Sequence, residues 1–137
     1  MNHLIALDIE YTFTKNLIYE IDTNGIITYA NANFAEVTGF RRNELIGKNH
    51  RAFKHPDVPD EIYETLWSTD DKLRKWFSTL KNIRRDGMYF WSNIHCTPKY
   101  KEAELVGFII VHKPASKIDI EEEIERYAQY NNNRGKN

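Results

Sequence analysis

A single cysteine, Cys96, serves the whole 137-residue chain, which excludes an intramolecular disulfide framework. Long hydrophobic runs are also missing: stretches such as Val106 to Val111 fall far short of the roughly 20 residues that span a bilayer. Neither sign of charge dominates, with 19 Lys and Arg against 20 Asp and Glu, so there is no basic field of the kind on which nucleic-acid affinity depends. The first residues lack the basic, apolar, small-residue order of a secretory leader. These absences lead us to expect a soluble, cytoplasmic chain with no nucleic-acid partner and no direct insertion into a membrane.

What is present is aromatic. Three Trp, eight Tyr and seven Phe make up 13% of the residues. The length suits one globular domain with a real core. Bulky side chains supply much buried area per residue in such a domain, and they are equally suited to wall a planar ligand. Composition alone favours the first of these uses.

Patterning gives an order of elements. Leu4 to Phe13 reads as a short amphipathic helix or an extended arm. Leu17, Tyr19 and Ile21 alternate with Ile18 and Glu20. The Asp22-Thr23-Asn24-Gly25 turn and the run Ile26 to Ala30 then complete a hairpin. Asn31 or Asn33 can cap a helix through Val37 that ends at Gly39, and Arg42 to Ile46 before Gly47 repeats that punctuation. Pro59-Asp60-Glu61 is a helix start, and the spacing predicts a helix to about Asp71. Strands follow at Trp76 to Arg84, Met88 to Pro98 and Glu104 to Lys113, with Lys99 to Ala103 as the last connection. Ile118 to Tyr130 has a helical pattern, and NNNRGKN reads as a frayed tail or linker. The expected class is α+β: a five-stranded antiparallel sheet, helices packed on one face, and flanking terminal segments. The boundaries are residues 1–16 for an N-terminal arm, 17–116 for the domain, and 117–137 for the C-terminal helix and tail.

The segment Asn49 to Trp67, NHRAFKHPDVPDEIYETLW, gathers His50, Lys54, His55, Asp57 and Trp67 between the two sheet-forming regions. Together with YANANFAEVTGF at 29–40 and RRDGMYFW at 84–91, it resembles the PAS domain of Aer-type aerotaxis receptors, over roughly Leu17 to Ser116. That resemblance implies the PAS fold and noncovalent FAD binding in a redox or oxygen-linked sensor. It also carries over a set of positions: Asn31, the Lys54-His55-Pro56-Asp57 segment, Trp67 and Asn82.

Elementary chemistry supports the assignment independently. FAD needs cations or amide donors for its pyrophosphate, a planar apolar slot for its ring, and amides at its pyrimidine edge. Lys54 can supply charge, Trp67 a stacking wall, and Asn82 a donor and acceptor pair. Asp57 is suited to fixing the loop or binding a ribose hydroxyl. Strand alternation adds candidates, because an inward Phe90 brings Ser92, Ile94 and Cys96 with it and sends Trp91 and His95 outward. Phe108, Ile110 and His112 share a face by the same rule. His112 resembles the position where flavin-binding PAS domains of the light-sensing LOV type place a glutamine, and is a candidate redox-coupled hydrogen-bonding group. Each candidate also has a plainer role: Asn31 as a helix cap, Asn82 in strand pairing, Trp67 in the core, His112 as a satisfied strand histidine, Cys96 as a small buried hydrophobe.

The pattern departs from the family in two places. Lys54 stands where Aer-type sequences usually carry arginine, which keeps the charge and loses the bidentate fork. Leu73-Arg74-Lys75 replaces an expected Gly-Glu-Pro. No cysteine lies near Asn49 to Phe53, so LOV adduct photochemistry is not expected. His55-Pro56-Asp57 matches the J-domain signature but lacks the helix that should precede it. His50, His55 and Asp57 lack metal-site spacing. No activated nucleophile, phosphate-cradling GxxxxGK or paired-carboxylate site is evident, so a catalytic role is not expected. The reading is an FAD-binding PAS sensor whose flavin state alters contacts of its terminal segments, through a homodimer or an adjacent signalling domain. The alternatives are a haem-binding PAS gas sensor, with His50, His55 or His112 as iron ligand, and a cofactor-free PAS interaction module.

Overall fold

The structure is a computed structural model that describes residues 4–67 and 76–134, and their side chains except at 65–67, 76–77 and 133–134. The side chain of Trp67 and the tripeptide Leu73-Arg74-Lys75 therefore lie outside the described residues.

The first hairpin is built as its sequence suggests. β1 (Leu17–Asp22) buries Leu17, Tyr19 and Ile21 on alternate positions and pairs antiparallel with β2 (Ile27–Ala30). Asp22 closes the turn, its Oδ1 accepting from the amides of Asn24 at 2.8 Å and Ile26 at 3.0 Å. Two short helices follow, α1 (Ala32–Thr38) and α2 (Arg42–Leu45), then a 3-10 turn at His50–Phe53 and α3 (Asp60–Trp67). Asn31 caps α1, and Gly39 ends it at φ +82°, a conformation glycine adopts without steric cost. Arg84 then satisfies orphan carbonyls at that end, donating to Glu36 O at 3.3 Å and to Val37 O.

The remaining strands are β3 (Trp76–Ile83), β4 (Tyr89–Lys101) and β5 (Glu104–Pro114). Their order in the sheet is β2-β1-β5-β4-β3, all neighbours antiparallel, so β5 joins the N-terminal hairpin to the C-terminal one. The core lies between the inner face of this sheet and α1 to α3, with Leu17, Phe34, Leu45, Ile62, Phe90, Ile94 and Ile110 all at 1% exposure or less. Each such side chain contributes about 1.5–3 kcal/mol by leaving water.

Three features extend the sequence reading. Residues 4–13 form no helix but an extended arm along the β3–β4 hairpin, with Leu7 N bonded to Gly87 O at 2.8 Å and Tyr11 N to Tyr89 O at 2.7 Å. The connection between β4 and β5 shrinks to Glu102 and Ala103, both at positive φ (51° and 66°). That geometry matches the right-handed strand twist even without glycine or asparagine. The C-terminal helix, α4 (Lys117–Arg134), runs four residues past Tyr130, since an anchored helix gains one hydrogen bond per added residue. It packs on the outer face of the sheet: Tyr127 stacks on Trp91 with ring centroids 5.8 Å apart, and Asn93 Nδ2 donates to Asp119 Oδ2 at 3.1 Å. No described helix is long and apolar enough to cross a membrane.

Candidate functional site

Alternation along β4 and β5 places Phe90, Ser92, Ile94 and Cys96 of β4 and Ile110 and His112 of β5 on the inner face, all at 2% exposure or less. His95 faces solvent as expected. Trp91 points outward too, yet it is buried because α4 covers it.

Three of the residues singled out in the sequence join in one buried polar row. Asn82 of β3 lies opposite Phe90 of β4. Its Nδ2 reaches Leu80 O and Phe90 O, each at 3.1 Å, and Ser92 Oγ at 2.9 Å. Ser92 Oγ in turn sits 2.8 Å from His112 Nδ1. Sequence reasoning missed the next member, Tyr19, whose Oη is 3.4 Å from His112 Nε2. Its signal was the same alternation that buries Leu17 and Ile21. Aromatic rings surround the row: Tyr19 stacks on Phe34 at 4.5 Å, and Phe34 meets Phe53 edge-on at 5.2 Å.

Electrostatics keep this interior neutral. Burial depresses the His112 pKa to about 3, helped by His50 nearby, and depresses that of His50 to about 4, helped by Arg51. Burial raises the Tyr19 phenol well above its usual value. Near neutral pH both imidazoles are uncharged and the phenol keeps its proton.

The Lys54 to Asp57 segment is divided between the two sides of the sheet. Its backbone covers the edge of β3, with a bridge between Lys54 and Asn82 and a 3.4 Å bond from His55 N to Lys81 O. Lys54 pairs with Asp60 at 3.1 Å and lies 6.0 Å over the Tyr63 ring. It lines a cleft of about 540 Å³ together with Phe40, Glu44, Lys48, Ile83 and Arg85. His55 and Asp57 belong to the outer side. His55 is buried edge-on against Tyr89, and its Nδ1 accepts from Asp57 N at 2.9 Å. Asp57 binds Lys81 Nζ at 2.7 Å, and Lys81 also lies over the rings of Tyr89 and Trp91. The Lys81 ammonium holds the Asp57 carboxyl below its usual range, while burial first and Lys81 second lower His55.

Asn31 has backbone partners at both ends of its amide. Its Oδ1 accepts from Phe34 N at 2.9 Å and Ile18 N at 3.2 Å, and its Nδ2 donates to Asn16 O at 3.4 Å. His50 packs beside Tyr63, ring centroids 6.3 Å apart, and is buried on the helix side of the core. No group of three or more His, Cys, Asp or Glu among the described residues could hold a metal ion.

A five-stranded antiparallel sheet in the order β2-β1-β5-β4-β3, with short helices linking β2 to β3 over its inner face, is the architecture of the PAS class. A family model described as the PAS fold matches residues 14–115, and the chain belongs to that family. It is 30% identical over 104 residues to the aerotaxis receptor of Escherichia coli, covering 76% of this chain and 21% of that protein. It is 31% identical over 96 residues to a nitrogen fixation regulatory protein of Klebsiella pneumoniae, covering 69% and 19% respectively. The chain thus spans about a fifth of the length of these relatives. Among solved structures, the PAS domain of a protein from Colwellia psychrerythraea superposes with TM-score 0.65 at 22% identity, over 74% of this chain and 87% of that one. A Light-Oxygen-Voltage domain from a flavin-analogue study superposes with TM-score 0.67 at 21% identity, over 84% and 87%. These structural likenesses bear on the fold.

Proposed function

We propose that this chain is the FAD-binding sensor domain of a redox or oxygen-linked signalling protein of the aerotaxis type, and that it performs no catalysis of its own. The observation that carries this reading is the buried row of Asn82, Ser92 and His112 among aromatic rings. An amide, a hydroxyl and a neutral imidazole linked in an apolar interior can orient the hydrogen bond that a flat heteroaromatic edge requires. The likeness to an aerotaxis receptor and to a domain studied with a flavin analogue supports the choice of flavin.

The cleft would take the phosphate end of FAD. Lys48, Lys54 and Arg85 line it and would hold the pyrophosphate, Arg85 by exchanging its 3.0 Å pair with Glu44 and Lys54 its 3.1 Å pair with Asp60. Lys54 would act as a point charge, without the planar fork of arginine. Trp67 would wall the ring, His50 would border it from the 3-10 turn, and Asn31, as the cap of α1, would hold that helix in place beside it. Bound FAD supplies a redox centre whose charge and protonation change on reduction. The row that includes Asn82 and His112 holds its protons at fixed positions, so the hydrogen bond it presents would differ in strength between the two states, which is the condition for any conformational shift.

The route outward is short. Asn82 faces the interior, while its neighbour Lys81 faces outward to Asp57, Tyr89 and Trp91, and Trp91 carries Tyr127 of α4. A displacement of β3 therefore changes the bed of α4. The arm exposes Ile5, and α4 exposes Ile118 and Ile124. These surfaces are the proposed outputs, to a second copy or to an adjacent signalling domain.

The test is a titration of the chromophore-free protein with FAD, followed by flavin fluorescence, in wild type, Asn82→Leu, Lys54→Ala and Trp67→Ala. Saturable one-to-one binding weakened in the variants supports the proposal. Failure of wild type to take up FAD overturns it. Haem uptake would then favour a gas sensor, and uptake of neither would favour an interaction module.

A further inference from the structure

The buried row has one donor proton too many. Asn82 orientation is set by chemistry: reversing the amide would bring its oxygen against the carbonyls of Leu80 and Phe90, so Nδ2 faces them and Ser92 Oγ accepts. Ser92, neutral His112 and Tyr19 then contribute one proton each, three in all. Among the described residues they are joined by two contacts, Ser92 to His112 at 2.8 Å and His112 to Tyr19 at 3.4 Å. Either direction of the chain leaves one proton without an acceptor.

The two directions differ in where that proton sits. If His112 donated from Nδ1, the hydroxyl of Ser92, fully buried and already accepting from Asn82, would have nothing to donate to among the described residues. If Ser92 donates, His112 accepts at Nδ1, carries its proton on Nε2, and donates to Tyr19 Oη. The free proton is then the phenol's. The 3.4 Å contact is the looser of the two, so the deficit falls at Tyr19. Tyr19 is 3% exposed and lies against Phe34, between the sheet and the helices. An unmet donor at that depth is costly, and an acceptor brought by a ligand removes the cost.

We propose that Tyr19 is the donor the interior presents to its ligand, that the ligand atom it meets is a ring nitrogen or carbonyl oxygen, and that Asn82, Ser92 and His112 are positioning residues acting through it. The inference rests on the flavin reading only for the identity of the ligand. His112, with both ring nitrogens engaged, orients the phenol and does not itself meet the ligand. Burial lowers the His112 pKa, which keeps the imidazole neutral with a single proton to place.

Three readings test this. In FAD-free protein, 15N NMR of His112 should show the neutral tautomer protonated at Nε2, and Ser92→Ala should abolish that preference. Tyr19→Phe should bind FAD about threefold to tenfold more weakly, as expected for one net hydrogen bond. A His112 protonated at Nδ1, a tautomer indifferent to Ser92→Ala or an unaltered FAD affinity each overturns the inference. Wild-type protein that binds no FAD overturns the flavin reading instead, and the two FAD-free readings still decide the direction of the chain.

Discussion

Asn31 separates scaffold from ligand contact, and its replacement gives the sharpest mutational forecast. The Oδ1 atom accepts from Phe34 N at 2.9 Å as the cap of α1 and from Ile18 N at 3.2 Å in β1. Removing a cap costs about 1 kcal/mol, and a second backbone amide deprived of its acceptor costs about another 1 kcal/mol. Asn31→Ala should therefore lose about 2 kcal/mol, or roughly 5–8 °C in melting temperature for a domain of this size. Asn31→Asp keeps an acceptor for both amides and adds a negative charge at a helix N-terminus, which is favourable. Its second oxygen faces Asn16 O where the amide donated at 3.4 Å, an exposed contact whose small cost the helix-end charge offsets, so the variant should stay within about 0.5 kcal/mol of wild type. Urea unfolding of the three proteins, with FAD affinity measured in parallel, decides the matter. If Asn31→Asp kept its stability but lost FAD, the side chain would be a ligand contact through its amide hydrogens, and the reasoning would be wrong.

Acid should weaken the fold earlier than its carboxylates require. The folded pKa values of His50 and His112, about 4 and about 3, lie below their ordinary 6.5. Below pH 6.5 the unfolded chain binds protons that the native chain refuses, and each histidine removes about 1.4 kcal/mol per pH unit until its folded pKa is reached. Denaturant midpoints that stay flat between pH 6.5 and 4.5 would contradict this, and His50→Gln should reduce the slope. At Gly87, a Cβ would lie 2.1 Å from Ile5 O on a backbone at φ +92°. Gly87→Ala should therefore release the arm, seen as faster hydrogen exchange at Leu7 and Tyr11 with the sheet still protected. Tyr127→Ala removes the ring stacked on Trp91 and should cost about 3 kcal/mol, with a red shift of tryptophan emission as α4 loosens. Unshifted emission and unchanged stability would show that α4 is not held at this point.

Much of the fold was legible because its signals are local. Alternation fixed the inner faces of β1, β4 and β5, and the Asn31 to Gly39 punctuation fixed α1. The arm was ambiguous because Leu4, Ile5, Leu7 and Ile9 suit a helix or an extended strand alike. Its pairing with Gly87 and Tyr89 is a long-range fact. The division of Lys54 from His55 and Asp57 was hidden for a similar reason. Adjacent residues that cross a strand edge end on opposite sides of a sheet, and motif reading treats them as one unit. Tyr19 was overlooked because a tyrosine in a buried strand position reads as core, and only the register to β5 brings it to His112. Trp91 shows the converse, an outward residue buried by a helix that the alternation rule does not see.

The most direct test of the central claim is the visible spectrum of freshly purified protein, followed by denaturation and chromatography of whatever is released. A flavin spectrum with FAD recovered at one per chain is the expected result. A Soret band, or colourless protein that also fails to take up added FAD, would contradict the flavin-sensor assignment.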